Sequence, residues 1–398
     1  MDDGLSKLFN NFDRGTISRR QLLQALGIAA VAAPMSAFAQ GRCGGARAGT
    51  PECDTTPAKA PFEPTGWKTV YMDHFSLQAA DYKREAAFYA ALMNWKVRSD
   101  DGTKAVLDIG DDVGSVVIRG GYVPPPAPAP RPQTAGDSAG GGRGGGRGNR
   151  APVRAVWDSF AWGIDQWDAK KVEAELRKRG LNPVADNEGK DFQSFHVKDP
   201  DGFDVQITNG NRKNRRQGPA NGTLSVAAPF EPTFFKTVWL DHISFQVADY
   251  KKSVDFYTDL MGWKVLNDTG TQAAVDINGI GGIIIRNRRR QPDAGAGAAN
   301  PPGATPPRPD SATSAAGGAT AQTSRPPVTA VVDHISWGIE PWDTETVRAE
   351  LLKRGLTPRE DTGNRGTMET SAFKSFHVKD PDGWDLQISN QTKDKHEL

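Results

Sequence analysis

This chain is written twice. "QSFHVKDPDGFDVQITN" (Gln193–Asn209) returns as "KSFHVKDPDGWDLQISN" (Lys374–Asn390). A longer phrase, "APFEPTGWKTVYMDHFSLQAADYKREAAFYAALMNWKV" (Ala60–Val97), returns as "APFEPTFFKTVWLDHISFQVADYKKSVDFYTDLMGWKV" (Ala228–Val265). A third, Val156–Pro183, returns as Val331–Pro358 and runs on into the first. Repetition at long period means one structural unit used several times. The order is A, B, A′, B′, so the A–B pair was duplicated as a block.

Each unit carries the same pattern. In A′, "TVWLDHISFQV" alternates as a strand does. Strict alternation places Val238, Leu240, His242, Ser244 and Gln246 on one face. "DYKKSVDFYTDLMGW" then reads as a helix, with Tyr250, Val254, Tyr257 and Met261 forming one apolar stripe. Three short strands follow. In B′ the helix "TETVRAELLKRG" has Asp343 as its N-cap and Gly355 as its left-handed stop. The strand "KSFHVKD", the turn Asp380-Pro381-Asp382-Gly383 and the strand "WDLQIS" complete it. One such βαβββ unit buries little surface alone, so two should pair into one curved sheet. The expected fold class is α+β: four βαβββ modules paired into two cup-shaped mixed sheets.

The remaining segments divide the chain. Residues 1–39 read as an export signal: paired arginines (Arg19, Arg20), then Leu22 and Leu23, a short Ala-rich apolar run and Ala37-Phe38-Ala39 as a cleavage site. The form resembles a twin-arginine signal. The run is too short and too weakly apolar to span a bilayer. The expected location is periplasmic or secreted, in a bacterium, with no stable membrane insertion after cleavage. Cleavage removes Lys7, Arg14, Arg19 and Arg20 against Asp2, Asp3 and Asp13, which cancels the formal charge of +1. Nothing in that balance draws the chain to nucleic acid. The Gly/Arg run near residue 145 reads as solvated linker. Residues 40–60 form a flexible segment holding both cysteines, Cys43 and Cys53. The first module pair spans 61–210 with a linker at 123–152. A connector covers 211–227, the second pair spans 228–390 with a linker at 287–327, and 391–398 is a tail.

The βαβββ unit, the first strands "MDHFSLQ", "LDHISFQV" and "VDHISWGI", the "AFY/DFY" helix and the "DPDG" turn resemble the vicinal oxygen chelate superfamily. That family contains glyoxalase I, bleomycin-resistance proteins and extradiol dioxygenases. The resemblance covers all four modules. It implies a cup per pair, each able to hold a divalent metal on ligands from the two first strands and the last strand. Residue by residue, it brings His242, His334 and Gln387 in the second pair. In the first pair it brings His74, Ser159 and Gln206, a degenerate set because a hydroxyl is a poor ligand for such ions. The ion would be Fe, Mn, Zn or Ni. His377 occupies the place of a substrate-contacting residue of the dioxygenases. It is either a proton shuttle or a partner of Asp385, and His196 repeats it in the first pair.

Gln387 is the unusual member. Two histidines and a carboxylate make the facial triad of non-haem iron enzymes. An amide oxygen brings no charge, so the metal should bind more weakly and anionic chelating ligands more strongly. Two readings stay open. One is an exported metal-dependent enzyme acting on a small molecule with vicinal oxygens, dioxygenase-like or glyoxalase-like. The other is a non-catalytic binder of the bleomycin-resistance type, with Trp162, Trp167, Trp337, Trp342 and Trp384 available to line its cups.

Overall fold

The computed structural model describes residues 63–123, 155–186, 191–215, 218–288 and 330–396. The fold below is that of residues 58–267 and 271–398, which form one compact unit. The expected export signal, both cysteines, and nearly all of the two Pro/Gly-rich linkers lie outside the described residues.

Each module is a strand, a helix and three strands, as its pattern requires. In the first pair these are β1 (Thr69–Ala79), α1 (Tyr82–Leu92), β2 (Lys96–Asp100), β3 (Lys104–Ile109) and β4 (Gly114–Arg119), then β5 (Ala155–Ile164), α2 (Ala169–Lys178), β6 (Val184–Asp186), β7 (Ser194–Lys198) and β8 (Asp204–Thr208). A short helix, α3 (Arg212–Arg215), lies in the segment expected to be a bare connector. The second pair repeats the order: β9 (Lys236–Val247), α4 (Tyr250–Met261), β10 (Lys264–Asp268), β11 (Gln272–Asp276), β12 (Gly281–Asn287), β13 (Val331–Glu340), α5 (Thr344–Lys353), β14 (Arg359–Asp361), β15 (Ser375–Lys379) and β16 (Asp385–Ser389).

The strands form two eight-stranded mixed sheets, ordered β2-β3-β4-β1-β5-β8-β7-β6 and β10-β11-β12-β9-β13-β16-β15-β14. The first strands of the paired modules meet antiparallel at the centre of each sheet, and each is flanked by its own module's last strand in parallel. This pairing brings the sequence-distant "DH" and "DLQIS" stretches onto adjacent strands. All four long helices begin at an aspartate whose side chain accepts from a backbone N–H of the first turn: Asp81, Asp168, Asp249 and Asp343. Gly355 is left-handed (φ +73°) just past the end of α5.

The apolar faces of the two sheets share one core. Phe75 meets Trp337 with ring centroids 5.7 Å apart, and Phe160 meets Phe245 at 6.1 Å. Trp162 and Trp337, available as cup lining under the binder reading, lie fully buried in this core. Trp167 and Trp342 stack on Phe195 and Phe376. Indole N–H groups tie the halves reciprocally. Trp95 Nε1 donates to Thr237 Oγ1 (2.9 Å), and Trp263 Nε1 donates to Thr69 Oγ1 (2.8 Å).

The DPDG turns have a use that the family likeness did not show. Each turn docks on the first helix of the opposite pair. Tyr257 of α4 donates its hydroxyl to Asp199 (3.0 Å), and Tyr89 of α1 donates to Asp380 (2.9 Å). Ser253 donates to Asp201, while Arg84 reaches Asp382. The repeated phrase is therefore an intramolecular bracket.

Candidate metal centre

The second cup gathers its polar side chains by register. Ser336 of β13 lies opposite His242 of β9 and opposite Gln387 of β16, while His334 lies opposite Ser244 and Asp385. His377 of β15 lies opposite Gln387. Alternation then places His242, His334, Asp385, Gln387 and His377 on one face. The expectation for β9 needs one correction. A bulge lies between Ser336/His242 and Trp337/Leu240, so alternation breaks at Asp241. Leu240 joins the apolar core instead of the cup face, and Asp241 turns its carboxylate to accept from Ser336 Oγ (2.7 Å).

The structure brings His242 and His334 into contact, with their Nε2 atoms 3.1 Å apart. Two nitrogens that share one divalent ion at about 2.1 Å each stand about 3.0–3.4 Å from one another. The opposite ring nitrogens face carboxylates. His334 Nδ1 lies 3.2 Å from Asp333, and His242 Nδ1 lies 3.4 Å from Asp241. A carboxylate behind Nδ1 fixes the tautomer that leaves Nε2 free to donate an electron pair. Burial, reinforced by the neighbouring imidazoles, pulls His334 down to about 4, so its ring is neutral at pH 7. Asp333 and Asp241, each the residue before a histidine, did not figure in the ligand reading of the sequence. The repeated "DH" dipeptide was their signal.

Among the described residues no three His, Cys, Asp or Glu side chains could hold a metal ion together. Gln387 is the remaining member of the candidate set. Gln387 is 1% exposed. Its Nε2 donates to Ser375 Oγ (2.7 Å), and its Oε1 is buried with no hydrogen-bond partner. An orphaned carbonyl oxygen on the face that carries the two imidazoles fits a ligand role.

His377 sits beside this group, its ring centroid 5.0 Å from that of His334. Its Nε2 is 3.1 Å from Asp361. Its Nδ1 is 3.4 Å from Asp385, within ion-pair reach but without hydrogen-bond alignment. Burial pulls this imidazole down, but the two carboxylates outweigh it and leave His377 above the ordinary histidine value. Asp361, far away in sequence and unforeseen, is held down to about 2 by its hydrogen bond to His377. Arg286 closes one side, bound to Ser244 and to Asp333.

The first cup keeps half of this arrangement. Gln206 donates to Ser194 Oγ (2.8 Å), as Gln387 does to Ser375. His196 lies between Asp204 (2.6 Å) and Asp186 (3.4 Å). His74, however, has no imidazole opposite. Ser159 occupies the register position of His334, and His74 Nδ1 binds Asp73 (2.8 Å). Asp73 also accepts from Arg215 of α3 (2.8 Å), so the connector plugs into this cup.

Residues 239–388 match the family model for the Glyoxalase/Bleomycin resistance protein/Dioxygenase superfamily. The first pair repeats that segment module for module. Over that segment the chain is similar to this superfamily, also called vicinal oxygen chelate. Among solved structures it is similar to the 2,3-dioxygenase LapB from Pseudomonas sp. KL28, at 12% identity and a TM-score of 0.49, over 81% of this chain and 92% of that one. It is similar to homoprotocatechuate 2,3-dioxygenase from Arthrobacter globiformis, at 15% identity and 0.49, over 84% and 83%. It is also similar to the Mn(II)-bound glyoxalase from Novosphingobium aromaticivorans, at 14% identity and 0.48, over 83% and 86%. No curated protein matches the chain.

Proposed function

We propose that the second cup is a divalent metal centre held by His242, His334 and Gln387, and that the protein uses it as an enzyme on a small molecule with adjacent oxygens. The 3.1 Å approach of two partly buried Nε2 atoms carries the reading. Such an ion supplies a Lewis acid with positions open to a chelating substrate. The chain's own groups do the rest. Asp241 and Asp333 hold the two imidazoles in their donating tautomer. Ser375 orients the amide so that its oxygen is presented. Because the ligand set carries no charge, the cup favours a substrate whose two oxygens are anionic, such as a catecholate, an enediolate or an α-oxo acid. His377, flanked by Asp361 and Asp385, is the group placed to hold a proton beside that substrate. Export through the twin-arginine route belongs to the same proposal. Retention of the precursor by Arg19→Lys/Arg20→Lys would support it, and unchanged export would refute it.

Metal analysis of the full chain, purified without tags or chelators, tests the centre. One Fe, Mn, Zn or Ni per chain is expected, lost in His334→Ala. A metal-free protein that still binds aromatic ligands would make it a sequestering protein instead.

A further inference from the structure

The first cup opens onto a cavity of about 580 Å³ that Val331, Val332 and Trp384 of the second pair also line. Its polar lining differs from that of the second cup in one respect that points to a ligand. In the second cup Ser244 Oγ bonds to Arg286. In the first cup Arg119, which pairs with Gln78 across the sheet as Arg286 does with Gln246, binds Asp158. The serine it leaves, Ser76, lines the cavity at 3% exposure, and its hydroxyl has no hydrogen-bond partner. Two more lining residues carry buried polar atoms without partners: Asp158 through Oδ1 and Trp384 through Nε1. A buried donor or acceptor left unmade is destabilising, and a ligand that supplies the missing bond gains by it.

The three groups also define the ligand's chemistry. One is a donor (indole N–H), one an acceptor (carboxylate oxygen) and one is both (hydroxyl). A hydroxyl group on the ligand, donor and acceptor at once, can answer any of the three. Charged wall residues already have internal counter-charges, as in Arg215–Asp73, Arg119–Asp158 and Lys198–Asp204. A charged ligand would compete with one member of these pairs for its partner. Val106, Val117 and Val156 supply apolar wall for a ring. We infer that the first cup is a metal-independent binding site for an uncharged, hydroxylated ring compound. Nothing in it depends on the metal centre of the second cup.

Calorimetric titration of the full chain in the presence of EDTA tests this. The probes are resorcinol (an aromatic ring), myo-inositol (an aliphatic one), benzoate and benzylammonium. The expected result is one site per chain for resorcinol or inositol, the better of the two identifying the ring type, with both charged probes at least about tenfold weaker. Ser76→Ala and Trp384→Phe should each weaken binding roughly three- to tenfold. Ser244→Ala, the matched change in the second cup, should not. Trp384→Phe keeps the test available if Ser76→Ala fails to fold, because Phe203 fills the corresponding place in the first pair. No binding by any neutral probe, equal binding of charged probes, or sensitivity to Ser244→Ala without sensitivity to either first-cup variant would overturn the proposal.

Discussion

Gln387 separates what the fold imposes from what the second cup adds. Its bond to Ser375 is duplicated by Gln206 and Ser194 in a cup without paired imidazoles, so that bond belongs to the fold. The buried, unpartnered Oε1, on the cup face that carries the two imidazoles, belongs to the proposed centre. Gln387→Glu should therefore tighten metal binding by about tenfold or more. A unit negative charge close to a divalent ion is worth several kcal/mol even at an effective dielectric of about 20. Gln206→Glu should change it little. Competition against a chromogenic chelator reads both, and equal responses from the two variants would refute the assignment. The role of Gln387 as a candidate was visible in the repeated phrase. Asp385 was visible as a partner of His377, but Asp241 and Asp361 were not, because Asp241 turns inward only through a bulge and Asp361 arrives from a separate strand.

At the scale of single elements, local chemistry was sufficient. Four aspartates placed before four amphipathic runs cap four helices. Asp343 accepts from the Thr346 N–H at 2.8 Å and also from its hydroxyl. Asp343→Ala should cost about 1 kcal/mol, seen as a lower urea midpoint at unchanged slope. An unchanged midpoint would mean that α5 is held by packing alone. Strand β9 shows the limit of such reasoning. Its alternating pattern predicts one uninterrupted cup face, yet pairing with β13 inserts the irregularity at Asp241, a property of two strands together.

For the whole molecule, the two DPDG brackets set the pH response. Burial, then repulsion from Asp201, pushes Asp199 up to about 7. Across the pseudo-symmetric junction Asp380 and Glu85 are both raised, chiefly by burial; the charge of Asp382 adds to the shift of Asp380, and those of Asp380 and Asp382 add to that of Glu85. Glu85 stands where the other bracket has Ser253, fully buried and with both oxygens lacking hydrogen-bond partners. A carboxyl whose folded value is raised holds its proton more tightly when folded. Its stabilising contribution is complete below the unfolded value and is lost as pH rises through the folded one. Urea midpoints should therefore fall between about pH 4 and pH 7 and continue to fall above it. Glu85→Ser should flatten the alkaline part and raise stability at pH 8 by about 1 kcal/mol or more. A native profile that rises over pH 4–7 would contradict the assignment.

The repeats, the helix caps and the βαβββ order were legible in the residues, from local periodicity, capping chemistry and likeness between segments. The candidate ligands His242, His334 and Gln387 came from the resemblance to a known superfamily. Three things were decided only by tertiary structure. Trp162 and Trp337 went to the core because the apolar faces of the two sheets meet there, which no single module reveals. The DPDG turns became brackets because duplication placed each against the other pair's helix. The contact between His242 and His334, and the unpartnered Ser76 hydroxyl in the first cup's cavity, arise because cross-strand register chooses which side chains meet. Register is a contact between segments far apart in the chain, and local sequence does not encode it.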